Sequence, residues 1–267
     1  MPDLTAIKQR QQQIWAAGDF SMVATKTVLA SELLCEAVDV RAGQKVLDVA
    51  TGSGNTALAA ARHWCEVTGI DYVPSLLEHA RQRAAVERLP VTFHEGDAEN
   101  IPFPDTSFDV VLSTFGAMFA PDQERAAQEL LRVCRPGGKI GMTNWTPDGF
   151  TGGIFRATSR HIPPPPGLKP PVLWGTEERL RELFADGIAA LQVTRRSCVV
   201  RFPSVQRWLE FFRTNFGPTL KAFEALDETG RESLAQDLLD VVRRFNRSGD
   251  ETMVAPSDYL EVVATRR

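Results

Sequence analysis

The sequence has little of what marks several common classes of protein. Its 267 residues include four cysteines and four histidines, and no two cysteines form a Cys-x-x-Cys pair. Cysteines scattered in this way favour buried thiols over a disulfide framework, and we expect no metal site. No apolar run approaches the roughly 20 residues that a membrane helix needs. The polar first residues lack the apolar stretch of a signal peptide, so neither export nor membrane insertion is expected.

The charge is nearly balanced, with 30 Lys and Arg against 34 Asp and Glu and a formal net charge of −4. No nucleic-acid partner is expected, because phosphate contacts need clustered basic side chains. Together with the lack of a signal peptide, this balance predicts a cytoplasmic protein that acts on a small molecule. An oligomer is possible, but nothing in the sequence indicates one.

Apolar segments with strand character alternate with helical patterns through the middle of the chain. Two helical segments are expected before residue 40, and helices are expected again over 204–246. Between them, six prolines over residues 161–171 predict an extended loop. Alternation of this kind predicts an α/β fold with a mostly parallel sheet covered on both faces. Seven strands are expected, over residues 45–50, 66–71, 91–94, 109–113, 139–144, 191–202 and 259–265.

The segment Val46–Gly54 (VLDVATGSG) is typical of a ligand-binding turn. It ends a buried strand in a glycine-containing turn and then enters a helix, whose first N–H groups are free to contact a ligand. Glycine also lets the backbone approach a ligand closely. The run Gly52–Ala57 matches the GxGxxA pattern of dinucleotide-binding proteins, and a turn without a ligand is the structural alternative.

Asp71 ends the second expected strand. An acidic side chain at this point can accept hydrogen bonds from the ribose hydroxyls of an adenosine-containing cofactor. A purely structural role, as the cap of a helix that begins near Pro74, also fits. Asp71 therefore supports an adenosine-containing cofactor without distinguishing one kind from another.

Three further motifs are more specific. Gly96–Phe103 (GDAENIPF) follows the third strand, Ser107–Asp109 (SFD) enters the fourth, and Arg135–Gly138 (RPGG) precedes the fifth. Together with Val46–Gly54, over about residues 40–145, they resemble the class I S-adenosylmethionine-dependent methyltransferases. The similarity is to the branch that holds the ubiquinone and menaquinone C-methyltransferases and many small-molecule O- and N-methyltransferases. One departure is Ala50, where the family usually has glycine; its methyl group fits if the local φ is negative.

The resemblance implies a Rossmann-like, doubly wound, mostly parallel seven-stranded sheet with helices on both faces. An N-terminal helical lid is expected at residues 1–40 and an S-adenosylmethionine-binding core at 41–145. Residues 146–267 are expected to complete the sheet and to supply a helical insert, before the last strand, that caps the substrate. S-adenosylmethionine would be the cofactor and S-adenosylhomocysteine the product.

The resemblance also implies a set of cofactor-binding residues at the carboxyl ends of the strands. Asp48 is expected to hold the methionine ammonium, directly or through water, and Asp71 to hold the ribose hydroxyls. Tyr72 is expected to pack on the adenine, whose amino group Asp97 would bind. Backbone contacts and closure of the site near the sulfonium are expected from Ala50, Thr51, Gly52, Gly54, Ala98, Ser113 and Phe115.

Aromatic residues cluster after the fourth and fifth strands and in the late helices. Apolar pockets are commonly rich in aromatic side chains, so an apolar or aromatic acceptor is expected, although any one of these residues can instead belong to the core. His161 is the best-placed candidate for a general base, and a surface or capping role is its alternative. The expected pocket consists of Phe20, Met118, Phe119, Trp145, Phe155, His161, Trp174, Phe212 and Phe216.

These motifs predict transfer of a methyl group to an O, N or C atom of a small metabolite by in-line attack. Such a reaction depends chiefly on alignment of the reactants, so a base is optional. Two alternatives remain from the sequence: an NAD(P)-dependent oxidoreductase on a similar core, and a non-catalytic cofactor-binding module.

Overall fold

The structure is a computed structural model that describes residues 3–267, so the first two positions of the expected lid lie outside the described residues. Its sheet has seven strands in the order β3-β2-β1-β4-β5-β7-β6. The first five pair in parallel, and β7 runs antiparallel to both β5 and β6. The strands are β1 (Lys45–Val49), β2 (Glu66–Asp71), β3 (Val91–Glu95), β4 (Phe108–Thr114), β5 (Cys134–Trp145), β6 (Ile188–Phe202) and β7 (Met253–Arg266).

Helices cover both faces of the sheet, and some of them extend beyond the carboxyl ends of its parallel strands. Several begin at side-chain caps: Asp122, for example, accepts a hydrogen bond from the N–H of Arg125, which satisfies one of the free donors of that helix. Over the described residues the helices are α1 (Leu4–Trp15), α2 (Phe20–Ala24), α3 (Val28–Val38), α4 (Asn55–Arg62), α5 (Pro74–Glu87), α6 (Gln123–Val133), α7 (Phe150–His161), α8 (Glu177–Phe184), α9 (Val205–Asn215), α10 (Gly217–Glu224) and α11 (Glu228–Phe245).

The central strands have an apolar core on each side. Val46 and Val110 belong to one buried cluster, whereas Leu47 and Val111 belong to the other, because successive strand residues point to opposite faces. Each such side chain contributes about 1.5–3 kcal/mol when fully buried. This arrangement confirms the expected fold class, a doubly wound and mostly parallel sheet.

A third apolar cluster lies beyond the carboxyl ends of the strands. It joins α7, α9, α10 and α11 to the ends of β6 and β7 that lie near them. Helix α7 is not expected from the sequence, since its Gly152 and Gly153 lower helix propensity. Gly152 has a packing reason, because a Cβ there would come within 2.4 Å of the carbonyl oxygen of Pro147. The α7 helix therefore approaches the chain after β5 more closely than other residues allow.

Other expectations differ in detail. The break expected near Gly230 instead falls just before Asp227, which caps α11, and Gly230 lies in the first turn of that helix. The four cysteines are all buried, as expected. Helix α3 packs on α4 and β5 and therefore belongs to a helical layer that covers the sheet. Within residues 3–40, only α1 and α2 lie outside these layers. In residues 3–267 no helix combines the length and apolar character that a membrane span requires.

Candidate active site

One large cavity runs along the carboxyl ends of the parallel strands. Asp71, Thr114 and Trp145 end β2, β4 and β5, while Ala50 and Gly96 follow β1 and β3, and all five line it. The cavity encloses about 1630 Å³ between its lining atoms, part of it open to solvent. Sheets of this kind bind ligands beyond the carboxyl ends of their strands, at the point where the strand order reverses. The cavity is therefore the candidate active site.

The turn after β1 is held in left-handed backbone conformations. Ala50 has φ +55°, and Gly52 and Gly54 have φ +55° and +88°. The condition of a negative φ at Ala50 is therefore not met, and the conformation costs an alanine about 1–2 kcal/mol. Its methyl group has space because residue 116 is glycine: a Cβ on Gly116 would lie 2.7 Å from that of Ala50. Strain of this kind is concentrated at functional sites.

Asp48 lies beneath this turn and does not line the cavity. Its Oδ2 accepts hydrogen bonds from Thr51 Oγ1 at 2.6 Å and from the N–H of Ala57 at 3.0 Å. Its Oδ1 has no hydrogen-bond partner among residues 3–267, and burial raises the pKa of this carboxyl to about 7. Of the two contacts expected for Asp48, the geometry favours the one through water.

Two other expected cofactor-binding residues also lie behind the lining. Ser113 Oγ donates to the carbonyl of Val49 and accepts from the N–H of Ala117, so it joins β4 to β1. Gly54 is the residue before α4 and provides the left-handed turn into that helix. Both shape the site without bordering the cavity, because their polar groups are used within the sheet and the turn.

Asp71 is buried at the cavity wall with both carboxylate oxygens fixed. Oδ2 accepts from the N–H of Gly52 at 2.8 Å and Oδ1 from the N–H of Val73 at 2.9 Å. Burial raises its pKa to about 6. Each carboxylate oxygen keeps acceptor capacity after one hydrogen bond. The orientation of Asp71 therefore suits the binding of two hydroxyl groups.

Helix α1 covers the same end of the cavity. Lys8 Nζ lies 2.5 Å from Asp97 Oδ2 and 2.6 Å from Glu99 Oε2. One turn further along the helix, the side-chain amide of Gln12 donates to the carbonyl of Tyr72. Tyr72 and Asp97 both line the cavity, so α1 is tied to the residues expected to contact the adenine. In this structure Asp97 shares its carboxylate with Lys8.

The other end of the cavity is aromatic. Phe115, in a left-handed conformation at φ +54°, stacks on Trp145 with ring centroids 3.7 Å apart and planes within 2°. Trp15 from α1 meets Phe20, Phe119 and Phe216 edge-on, at centroid distances of 5.0 to 5.6 Å. Of the residues expected in the pocket, those that line the cavity are Phe20, Phe119, Trp145, Phe155, Phe212 and Phe216.

Three residues of the expected pocket lie elsewhere. Met118 and Trp174 are fully buried in the core on one face of the sheet and lie outside the cavity lining. His161, the last residue of α7, is held by Asp237 of α11, with Nε2 2.8 Å from Oδ2. That side of α7 faces α11, so the structure places His161 away from the cavity and removes it as the candidate base.

Several residues that line the cavity were not identified from the sequence. They include Lys8 on α1, Thr151 on α7, Trp208 on α9 and Ser257 on β7. Each belongs to a segment that carries no motif, and folding brings together residues up to 249 positions apart in the chain. A signal that could have found Trp208 is the amphipathic pattern of α9, which predicts an inward side for this residue.

Comparison with known proteins agrees with this geometry. The chain matches a family described as a methyltransferase domain over residues 47–142. An uncharacterised protein of Mycobacterium tuberculosis is 36% identical over 260 residues, which cover 95% of this chain and 93% of that relative. A demethylmenaquinone methyltransferase of Thermus thermophilus is 35% identical over 161 residues, which cover 54% of this chain and 73% of that relative.

Among solved structures, the YcgJ protein from Bacillus subtilis has the same fold, with a TM-score of 0.63 at 20% identity over 89% of this chain and 98% of that one. Fold, motifs and comparisons together define an S-adenosylmethionine-dependent methyltransferase, and the expected cofactor is confirmed. The chain belongs to the class I methyltransferases, in the branch that includes the demethylmenaquinone methyltransferases. The oxidoreductase alternative is accordingly set aside.

Proposed function

We propose that the protein methylates an O, N or C atom of a small, largely apolar or aromatic metabolite by in-line attack. The observation that carries this proposal is the division of one cavity into two ends. Buried carboxylates and backbone turns form one end, and aromatic side chains form the other. An apolar acceptor placed in the aromatic end would face the cofactor along the row of strand ends.

The residues at the polar end fit S-adenosylmethionine. Asp71 offers two fixed carboxylate oxygens to the ribose hydroxyls. Asp48 has a buried oxygen that no donor among the described residues reaches. The backbone of Ala50, Thr51 and Gly52 borders the same space. We assign the adenine contacts to Tyr72, Asp97 and Ala98, and we place Phe115 nearest to the sulfonium.

When bound, the cofactor supplies a methyl group that is already activated by the positive sulfur. The chain has to align the acceptor with that group and to exclude water. Trp15 and Phe20 lie over the cavity from the lid, and the ring of Phe20 packs 3.4 Å from where a Cβ of Gly52 would stand. We therefore propose that α1 and α2 form the lid and that they close over both ligands.

The acceptor class rests on chemistry alone. Among the described residues, ten Trp and Phe side chains line the cavity: Trp15, Phe20, Phe115, Phe119, Trp145, Phe150, Phe155, Trp208, Phe212 and Phe216. A relative named as a demethylmenaquinone methyltransferase makes reduced quinones reasonable members of a first panel. A cytoplasmic location and the lack of a nucleic-acid partner remain predictions from the sequence, as does the division at residues 40 and 145.

Calorimetry and product analysis test the proposal. S-adenosylmethionine and NAD are titrated into the protein, and transfer of a labelled methyl group is then measured to phenols, hydroquinones and amines. We expect saturable binding of S-adenosylmethionine alone and methylated product from at least one apolar acceptor. The variant Asp71→Asn is the control that loses cofactor affinity while keeping the aromatic end. Cofactor binding without any methylated product would favour the non-catalytic alternative.

A further inference from the structure

One part of the aromatic end holds polar groups that the reaction outlined above does not use. We call it the inner chamber and define it by six residues, each of which contacts the next in this order: Cys198, Ser257, Thr151, Phe150, Trp208 and Phe212. Cys198 and Ser257 are paired across β6 and β7. Phe150 meets Trp208 with centroids 5.7 Å apart, and Trp208 meets Phe212 at 4.9 Å. All six line the cavity.

Two hydroxyl groups form a buried pair in this chamber. Thr151 Oγ1 and Ser257 Oγ lie 2.5 Å apart, and either can donate to the other. Ser257 is fully buried, with 0% of its surface exposed. A pair of hydroxyls has two hydrogens and uses one of them internally. Since neither group donates to another residue in the described part of the chain, the pair keeps one hydrogen for a ligand.

Trp208 provides a second free donor. Its side chain is 2% exposed, yet the indole Nε1 has no hydrogen-bond partner within residues 3–267. An indole nitrogen can only donate, and buried donors without a partner are rare enough to require an explanation. A ligand oxygen in the chamber would provide the missing acceptor.

Charge restricts the ligand further. The carboxylates that line the cavity, Asp71 and Asp97, lie at the cofactor end, where Lys8 also pairs. The other lining ammonium, that of Lys26, is exposed and lies over the rings of Phe202 and Phe211. None of the six residues of the inner chamber is charged, and an ion buried without a partner is strongly disfavoured.

We propose that the inner chamber is a recognition subsite for an uncharged oxygen of the methyl acceptor, bound by the Thr151–Ser257 hydroxyl pair and by Trp208 Nε1. The ligand class is a neutral, largely apolar molecule with a carbonyl, ether or phenolic oxygen. In calling this ligand the methyl acceptor, the inference rests on the proposed function. The hydrogen-bonding subsite itself does not depend on it.

A pair of probes that differ by one oxygen tests the subsite. The bicyclic ketone 1-tetralone and its parent hydrocarbon tetralin are titrated into the full-length protein, and the ratio of their Kd values is measured. One hydrogen bond should favour the ketone by about 2- to 12-fold. Because both probes share the ring system, the ratio cancels changes in packing between variants.

The chain offers matched controls for each donor. We expect Trp208→Phe to bring the ratio toward one. The double variant of Thr151→Val and Ser257→Ala should do the same, because either hydroxyl alone would still have a hydrogen to donate. Trp174→Phe removes another buried indole N–H that has no partner within residues 3–267, and Thr143→Val removes a hydroxyl of the same kind. Since both lie outside the cavity lining, these two variants should keep the ratio of the wild type. The double hydroxyl variant keeps the test informative if Trp208→Phe fails to fold.

Three results would overturn the inference. The first is equal affinity of the wild type for the two probes. The second is a Kd ratio that the chamber variants leave unchanged. The third is a Kd ratio that the control variants lower as much as the chamber variants do. A lack of saturable binding of both probes would overturn it as well. Titration of S-adenosylmethionine into the same proteins keeps this failure separate from failure of the proposed function, which would show as a wild type that does not bind the cofactor.

Discussion

Ala50 and Gly116 form a pair whose energetic coupling can be measured. Ala50 stands in a left-handed conformation at φ +55°, where glycine carries no steric penalty. Gly116 has no such requirement, because its φ is −107°. A Cβ there would nevertheless lie 2.7 Å from Ala50 Cβ, 2.8 Å from the carbonyl oxygen of Ala50 and 3.1 Å from Ser113 Oγ. The methyl group of Ala50 is thus tolerated because Gly116 leaves it space.

The magnitudes follow from these contacts. Ala50→Gly relieves about 1–2 kcal/mol of backbone strain. The greater entropy of the unfolded chain offsets about 0.4–1 kcal/mol of this gain, so the free energy of unfolding should rise by about 0–1.6 kcal/mol. Gly116→Ala overfills a packed space and should cost about 1–3 kcal/mol. In the double variant the closest clash is gone while the clash with the carbonyl remains. Gly116→Ala should then cost at least about 0.5 kcal/mol less, as expected for residues in contact.

Urea unfolding of the wild type, both single variants and the double variant measures this coupling as a double-mutant cycle. Gly137 is the control, because it has positive φ and nothing within 4 Å of an added Cβ. Ala50→Gly and Gly137→Ala should be additive within about 0.5 kcal/mol. Additivity between Ala50→Gly and Gly116→Ala would refute the claim that these two residues compete for one space.

Three further predictions concern the cofactor and the excluded base. The Kd for S-adenosylmethionine should rise as the pH falls through about 7 and then about 6, because burial raises the pKa of Asp48 and of Asp71 to about these values and each loses acceptor capacity when it takes up a proton. Titrations at several pH values should show both steps in the wild type and only the step near 7 in Asp71→Asn. Lys8→Met removes the ion pairs that tie α1 to Asp97 and Glu99. Dissociation of the cofactor, measured by stopped flow, should therefore become about 1.5- to 5-fold faster. An unchanged rate would argue against α1 as a lid. His161→Ala should leave kcat/KM unchanged across the pH range, because His161 pairs with Asp237 away from the cavity; a lost limb in the pH profile would restore it as a base.

The cofactor end of the site could largely be predicted from the sequence. Asp71 and Gly52 stand in short motifs in which a strand ends and a turn begins. Local sequence determines where this change occurs. Asp48, like Gly54 and Ser113, differs from this pattern because it lies behind the cavity lining. Its motif position suggests a ligand contact, whereas the turn folds over it and uses Oδ2 for Thr51 and Ala57. The sequence pattern does not say which side of a turn a buried carboxylate faces.

The acceptor end could not be predicted in the same way. Helix α7 went unrecognised because Gly152 and Gly153 are poor helix formers, and its stability comes from packing on α11 and on the chain after β5. In the sequence His161 lies after the fifth expected strand and just before the proline-rich loop, whereas the unrecognised helix carries it away to Asp237. Aromatic content likewise does not separate Trp174, in the core, from Trp208, at the cavity.

This contrast explains what similarity to known methyltransferases transfers. The matched family domain ends at residue 142, before Trp145, α7 and the paired strands β6 and β7 that carry Cys198 and Ser257. The residues that we propose bind the cofactor lie within the matched segment, and the activity class follows from it together with the methyltransferase relatives. All six residues that define the inner chamber lie beyond this segment. The choice of acceptor therefore has to be read from Thr151, Ser257 and Trp208 in this chain rather than from the names of its relatives.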